Sequence, residues 1–307
     1  MKKIEFALLV ILVAGLSILG IIQLKKYNSA MEVSDIGVSF VCNSRWLNTD
    51  QVMEYGSFYV DYDGISHQSK ETNVLTPQGN AAAISLRLFN GDWAFIRKND
   101  EITIEIYNAS QDPLKQMRLT TMPDQILPFQ NDVLLRFDKD LFLWQYKETA
   151  KLIPFENVSL QEFESGDVKL FACNNKIAAS DEHTVVIYDA IQNKSKQIKC
   201  NARLLGFSDE DTLVFVDSWD QSSIVFWFQD IFKYSISKQK KFDFGKIKGL
   251  SGWNVLCAAF DETGQQMLCV TCNDTILAKT VIVDLNDYTS KELDYRTDTI
   301  DFMQWIE

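Results

Sequence analysis

The sequence predicts an all-β fold, a β-propeller preceded by one apolar helix. Three observations carry this reading. A strand-turn-strand unit recurs along the chain, helical periodicity is nearly absent after residue 30, and the two ends of the repeat array complement one another. The clearest unit is Thr184-Val185-Val186-Ile187-Tyr188-Asp189, a polar turn, then Lys196-Gln197-Ile198-Lys199. Its counterparts carry Tyr62, Tyr107, Trp144, Tyr234 and Val283 at the matching place, and the six anchors lie 45, 37, 44, 46 and 49 residues apart. Several short strands per period of that length are the signature of a ring of small sheets.

In chain order, Met1 to Leu24 stands apart. Lys2 and Lys3 precede Phe6 to Leu24, 19 residues without a charge, and Lys25 and Lys26 follow. As a helix this run is about 28 Å long, close to the hydrocarbon thickness of a bilayer. It is longer than the apolar region of a cleaved signal peptide, and Asn28-Ser29-Ala30 is a poor cleavage site, so the expectation is an uncleaved anchor over residues 1–25. A short N-terminal tail places the rest outside the cytoplasmic membrane. Residues 26–35 read as a linker, and 36–307 as the propeller.

The first unit opens on Val38-Ser39-Phe40-Val41, which reads as a second strand. Arg45 to Gly56 reads as a long loop. In later units, Leu204 to Asp211 then Leu213-Val214-Phe215-Val216 is strand, acidic turn, strand, and Val255 to Gly264 then Met267-Leu268-Cys269-Val270 repeats the pattern. Ile224-Val225-Phe226-Trp227-Phe228 lacks alternation, as expected of a strand buried on both faces. Thr299-Ile300-Asp301-Phe302-Met303-Gln304-Trp305 is an orphan first strand. It is expected to complete the first blade, which closes the ring and removes open edges. Six blades result; dividing Val158 to Ala179 differently would give five or seven.

These units resemble WD-repeats and their bacterial relatives. An FS-D-like turn before the second strand (Phe207-Ser208-Asp209) and an IYD-like third strand (Ile187-Tyr188-Asp189) carry the resemblance over about residues 36–307. No unit opens on Gly-His or closes on Trp-Asp. The resemblance implies architecture only, since propellers host unrelated functions.

Chemistry is sparse. The net charge of −12 disfavours a nucleic-acid partner. The one basic run, Lys238, Lys240, Lys241, Lys246 and Lys248, flanks Phe242 and Phe244; it reads as a solvated strand face, with anionic lipid as the alternative contact. Six cysteines sit mostly in apolar strands and read as buried thiols. A four-residue turn at Asp261 to Gly264 would set Cys257 opposite Leu268 and leave Cys269 on the other face. Cys269 and Cys272 would point to opposite faces, so their spacing is neither redox motif nor zinc half-site. His67 and His183 are isolated, and no nucleophile elbow, P-loop or dinucleotide fingerprint occurs. Asp100, Asp140, Asp181, Asp220 and Asp274 recur before third strands, as turn caps or as carboxylates gathered at one mouth. The Met-Lys-Lys start looks bacterial, and the sequons at Asn108, Asn157, Asn193 and Asn273 would matter only in a eukaryotic secretory host.

No catalytic, metal or cofactor-binding residue is expected, and no cofactor is implied. The leading expectation is a membrane-anchored, non-enzymatic scaffold for a protein or peptide partner, with Trp46, Trp219 and Asp220 as contacts. The alternatives are a metal-dependent propeller hydrolase or lactonase, and a sensor of a small ligand or carbohydrate.

Overall fold

In a computed structural model, residues 31–161, 163, 168–181, 183–217, 230–250, 254–272, 278–297 and 300–306 are described. The predicted anchor and the run Ile224 to Phe228 lie outside them. Among the described residues no helix is long and apolar enough to cross a membrane.

The rest forms six four-stranded antiparallel sheets, the six blades of a propeller. In chain order come β1 (Val38–Leu47), β2 (Met53–Asp63) and β3 (Gln68–Asn73), then the second blade, β4 (Ile84–Arg87), β5 (Trp93–Lys98), β6 (Ile102–Tyr107) and β7 (Pro113–Leu119). The third blade is β8 (Gln125–Phe129), β9 (Asp132–Phe137), β10 (Asp140–Trp144) and β11 (Ile153–Pro154), and the fourth is β12 (Lys169–Cys173), β13 (Lys176–Ser180), β14 (Thr184–Asp189) and β15 (Lys194–Lys199). The fifth is β16 (Ala202–Asp209), β17 (Thr212–Asp217), β18 (Asp230–Ser235) and β19 (Lys240–Lys246), and the sixth is β20 (Asn254–Phe260), β21 (Gln266–Cys272), β22 (Ala278–Asp284) and β23 (Ser290–Leu293). The last strand, β24 (Ile300–Trp305), is the innermost strand of the first blade, in the order β24-β1-β2-β3.

The anchor positions fall where the repeat puts them. Tyr62, Tyr107, Trp144, Tyr188, Tyr234 and Val283 all lie in third strands and are all buried. Blades pack face to face, so second strands are covered on both sides and lose alternation. Val133, Leu134 and Leu135 in β9, and Met267 to Val270 in β21, are consecutive and fully buried. Burying each such side chain contributes about 1.5–3 kcal/mol.

The ring closes as predicted. Phe40 pairs with Trp305, Val41 with Gln304, Cys42 with Met303 and Asn43 with Phe302, before a bulge at Asn43/Ser44. A second closure comes from the linker. Val33 bridges Glu292 of β23 in parallel, the Ser34 N–H donates to the Glu292 carbonyl at 2.9 Å, and the Glu292 N–H donates to that of Glu32 at 2.8 Å. The Tyr62 hydroxyl donates to the Ser34 carbonyl at 2.7 Å. The strap therefore ties the sixth blade to the first.

Innermost strands present backbone edges that no neighbouring strand pairs, and buried peptide groups need partners. Side-chain amides supply them. Asn43 exchanges two bonds with the Ser85 peptide, Gln125 two with that of Leu170, and Gln304 two with that of Arg87. Arg203 acts similarly, its Nη1 donating to the Val255 carbonyl at 2.9 Å, and farther out Lys233 Nζ donates to the Leu285 carbonyl at 3.0 Å.

Two sequence expectations are corrected. Arg45 to Gly56 is not a long loop: β1 and β2 stay paired out to Leu47 and Met53, and Asn48 closes a short turn by accepting from Val52 N. The β20–β21 register is shifted by two residues, so Phe260 faces Met267 and Cys257 faces Val270. The cause is local. The Asp261 carboxylate caps the Gln266 N–H, and Gly264, at φ +67°, makes the bend one residue later than expected. A two-residue shift keeps side-chain faces, so Cys257 and Cys269 still alternate.

Candidate functional site at the ring mouth

In an antiparallel meander, first–second turns lie at one end of the ring and second–third turns at the other. The first end holds a cavity of about 540 Å³ on the ring axis. Its walls come from the innermost strands: Phe171 of β12, Phe207 of β16, Phe260 of β20, and Phe302 and Trp305 of β24. Phe89, from the turn after β4, is 41% exposed at its edge.

Gly206 lets these rings converge. Its φ is +143°, and an added Cβ would stand 2.9 Å from the Phe260 ring and 3.5 Å from that of Phe171. Only a residue without Cβ both adopts that backbone and leaves the two aromatics their space. A bulge in the β16–β17 ladder falls at this glycine.

Carboxylates of the fifth and sixth blades line one side of the opening. Asp209 ends β16 and Glu210 follows it in the turn, while Asp261 and Glu262 come from the turn after β20. Glu210 accepts from Asn174 Nδ2 at 2.8 Å, and Asp209 accepts from the Asp211 N–H at 2.7 Å. Among the described residues lining the cavity Arg87 is the only basic one, and its Nη1 donates to the Ile306 carbonyl at 3.3 Å. Cys173 reports the local field: burial, then Glu210 and Asp209, push its thiol up to about 11. It is a protonated wall residue and a poor nucleophile at neutral pH.

A smaller cavity, about 270 Å³, lies at the opposite end, with Arg45, Tyr55, Asp124, Arg136 and Lys169 among its lining. Phe302 lines both cavities and separates them.

The acidic mouth is thus built by first–second turns, not by the aspartates that precede third strands. Of those, Asp181 caps a turn, accepting from His183 N at 2.8 Å and Thr184 N at 2.6 Å. Asp100 and Asp140 are exposed, while Asp220 and Asp274 lie outside the described residues. Trp46 does not reach either cavity. Half-buried, its ring stands 3.1 Å from where a Gly56 Cβ would lie, beside Phe58. Trp219 and Asp220 lie outside the described residues. None of the six cysteines is joined in a disulfide. Among the described residues no three His, Cys, Asp or Glu side chains are grouped to hold a metal. His67 Nδ1 lies 3.0 Å from the Ser34 carbonyl, in the strap.

Fold and mouth together define a six-bladed β-propeller with an aromatic, acid-rimmed axial cavity. No known family profile and no curated protein matches the chain. Among solved structures it is similar to Hsv2 from Kluyveromyces lactis, at 10% identity over 79% of this chain and 75% of that one, with a TM-score of 0.46. It is also similar to an ACO/RPE65 chimera, at 9% identity over 91% and 94%, with a TM-score of 0.49. TolB from Acinetobacter baumannii gives 13%, 82% and 68%, with a TM-score of 0.43. No activity is carried over from them.

Proposed function

We propose that the protein is a membrane-anchored, extracytoplasmic propeller of the WD-repeat-like kind, acting as a non-enzymatic interaction scaffold. Its partner presents a basic segment to the ring mouth. The observation that carries this reading is the cavity itself: aromatic walls, four rim carboxylates, and one arginine already held by a backbone carbonyl. Aromatic faces attract Lys or Arg heads, by about 0.5–1 kcal/mol when exposed and about 2 when desolvated. Rim charges of one sign steer an oppositely charged segment and exclude acidic ones. The rigid ring lets the partner bind without ordering the receptor. The anchor expected over residues 1–25 would display this mouth outside the cytoplasmic membrane.

Titration calorimetry on the full chain in detergent tests the reading, with a lysine-rich peptide and a glutamate-rich peptide of equal length as probes. The lysine peptide should bind and weaken with salt, and the Glu210→Lys/Glu262→Lys variant should lose at least about tenfold in affinity, the ~1.4 kcal/mol equivalent of reversing two rim charges. Equal binding of both peptides, or of wild type and variant, would overturn it.

A further inference from the structure

The basic run at Lys238 to Lys248 is absorbed neither by the core nor by the mouth. It lies on and beside β19, the outer edge strand of the fifth blade. Residues 240–244 are all exposed, Phe244 to 68% and Phe242 to 38%. Lysines on an edge strand are ordinary, since they prevent edge-to-edge pairing. Two neighbouring exposed phenylalanines have the opposite effect on solubility and need another reason.

Of the acids on this edge, Asp211 accepts from the Ser235 and Ser237 hydroxyls at 2.7 and 2.8 Å. Asp243 pairs with Lys233 at 2.6 Å and Asp230 with Lys246 at 3.6 Å, while Lys248 lies in the field of Asp287. Lys238, Lys240 and Lys241 are left in surplus on a chain whose net charge is −12. Lys241 stands 4.2 Å over the Phe232 ring, and Phe244 packs against that ring at 5.9 Å between centroids. Cation and aromatic are therefore presented together.

The position of the strap decides what this patch meets. Met31, the first described residue, lies against Gly249, and its sulfur is 3.4 Å from the Ser290 hydroxyl, which in turn donates to the Lys248 carbonyl. The 19-residue apolar run ends at Leu24, so at most about 25 Å of extended chain separates it from the end of the basic run.

We infer that the β19 edge, with Phe242, Phe244, Lys238, Lys240 and Lys241, rests on the anionic surface of the membrane that holds the anchor. The phenylalanines enter the headgroup region and the lysines face lipid phosphates. A single anchor leaves a domain free to swivel; a second, weak contact made at high effective concentration fixes its orientation. The inference rests on the anchor reading above.

The test is amide hydrogen exchange on the full chain in lipid nanodiscs, of phosphatidylcholine alone or mixed with phosphatidylglycerol. Exchange over residues 240–248 should slow several-fold in the anionic discs. High salt, Lys238→Gln/Lys240→Gln/Lys241→Gln and Phe244→Ser should each reverse the slowing, while strand β9 stays unchanged as proof of folding. Equal exchange in both discs overturns the patch and leaves the anchor standing. Protection that grows with protein concentration and persists in detergent overturns it in favour of pairing between two copies. A chain that enters neither disc overturns the anchor and the patch with it.

Discussion

Replacing Gln304 by Ala probes the ring closure at a single side chain. The Arg87 N–H donates to Gln304 Oε1 at 2.8 Å, and Gln304 Nε2 donates to the Arg87 carbonyl at 2.8 Å. Each neutral hydrogen bond contributes about 0.5–1.5 kcal/mol, and a buried group left without a partner costs about 1–3 kcal/mol. Gln304 is half-buried, so water recovers part of the loss. The expected destabilisation is about 2–3 kcal/mol. At about 2–4 °C per kcal/mol for a domain of this class, the transition should fall by roughly 4–12 °C. Thermal unfolding of the full chain in mild detergent, followed by near-UV circular dichroism, measures this, with Gln192→Ala on an exposed turn as control. Gln304→Glu should fare no better, because it keeps the acceptor for the Arg87 N–H but sets a carboxylate against the Arg87 carbonyl. A Gln304→Ala transition within about 0.5 kcal/mol of the control, the range of neutral surface changes, would refute the reasoning.

Arg97→Met should destabilise by about 3–5 kcal/mol, because it strands Glu105, a buried carboxylate that Arg97 pairs and Tyr107 also hydrogen-bonds; chemical denaturation reads this, and a change below about 1 kcal/mol would contradict it. Gly245→Ala should cost about 1–3 kcal/mol or more, since its Cβ would overlap the Tyr288 ring that seals the fifth blade to the sixth; an unshifted unfolding midpoint would contradict it. Burial, then the hydrogen bond to Glu105, raises the Tyr107 phenol to about 12. Its unfolded counterpart titrates near 10, so the unfolded state binds fewer protons above that pH and stability falls between about pH 10 and 12. Phenolate absorbance should show Tyr107 resisting titration until unfolding, and Tyr107→Phe should flatten that pH dependence. Native thiols should resist aromatic disulfide reagents, because burial raises Cys42 and Cys269 well above the usual thiol range; rapid labelling of either in the folded chain would contradict this.

The blades were legible because each repeats one buried aromatic or aliphatic anchor in its third strand, and burial of that residue is what the hydrophobic pattern encodes. Closure was legible because an orphan strand at one end matched a missing strand at the other. The long β1–β2 hairpin was not. Arg45, Trp46 and Glu54 look like loop residues, and the pairing depends on Gly56 making room for the Trp46 and Phe58 rings. The β20–β21 register is not encoded in the hydrophobic pattern, because a side-chain cap from Asp261 moves the bend. The mouth was legible only in part. The acidic turns at Asp209 and Asp261 were visible, but the convergence of Phe171, Phe207, Phe260 and Phe302 is a property of ring geometry. The amide clasps of Asn43, Gln125 and Gln304 were silent, since a polar residue in a strand reads as surface until its partner blade is in place.

The most direct measurement on the closed ring is the exchange rate of the Phe302 to Ile306 amides in the intact chain. If β24 is the innermost strand of the first blade, with the Ile306 N–H held by the Ser39 carbonyl at 2.9 Å, these amides exchange as slowly as those of β1 and open only with global unfolding. Exchange as fast as in the rim strand β3 would mean that the chain's end is not fastened there.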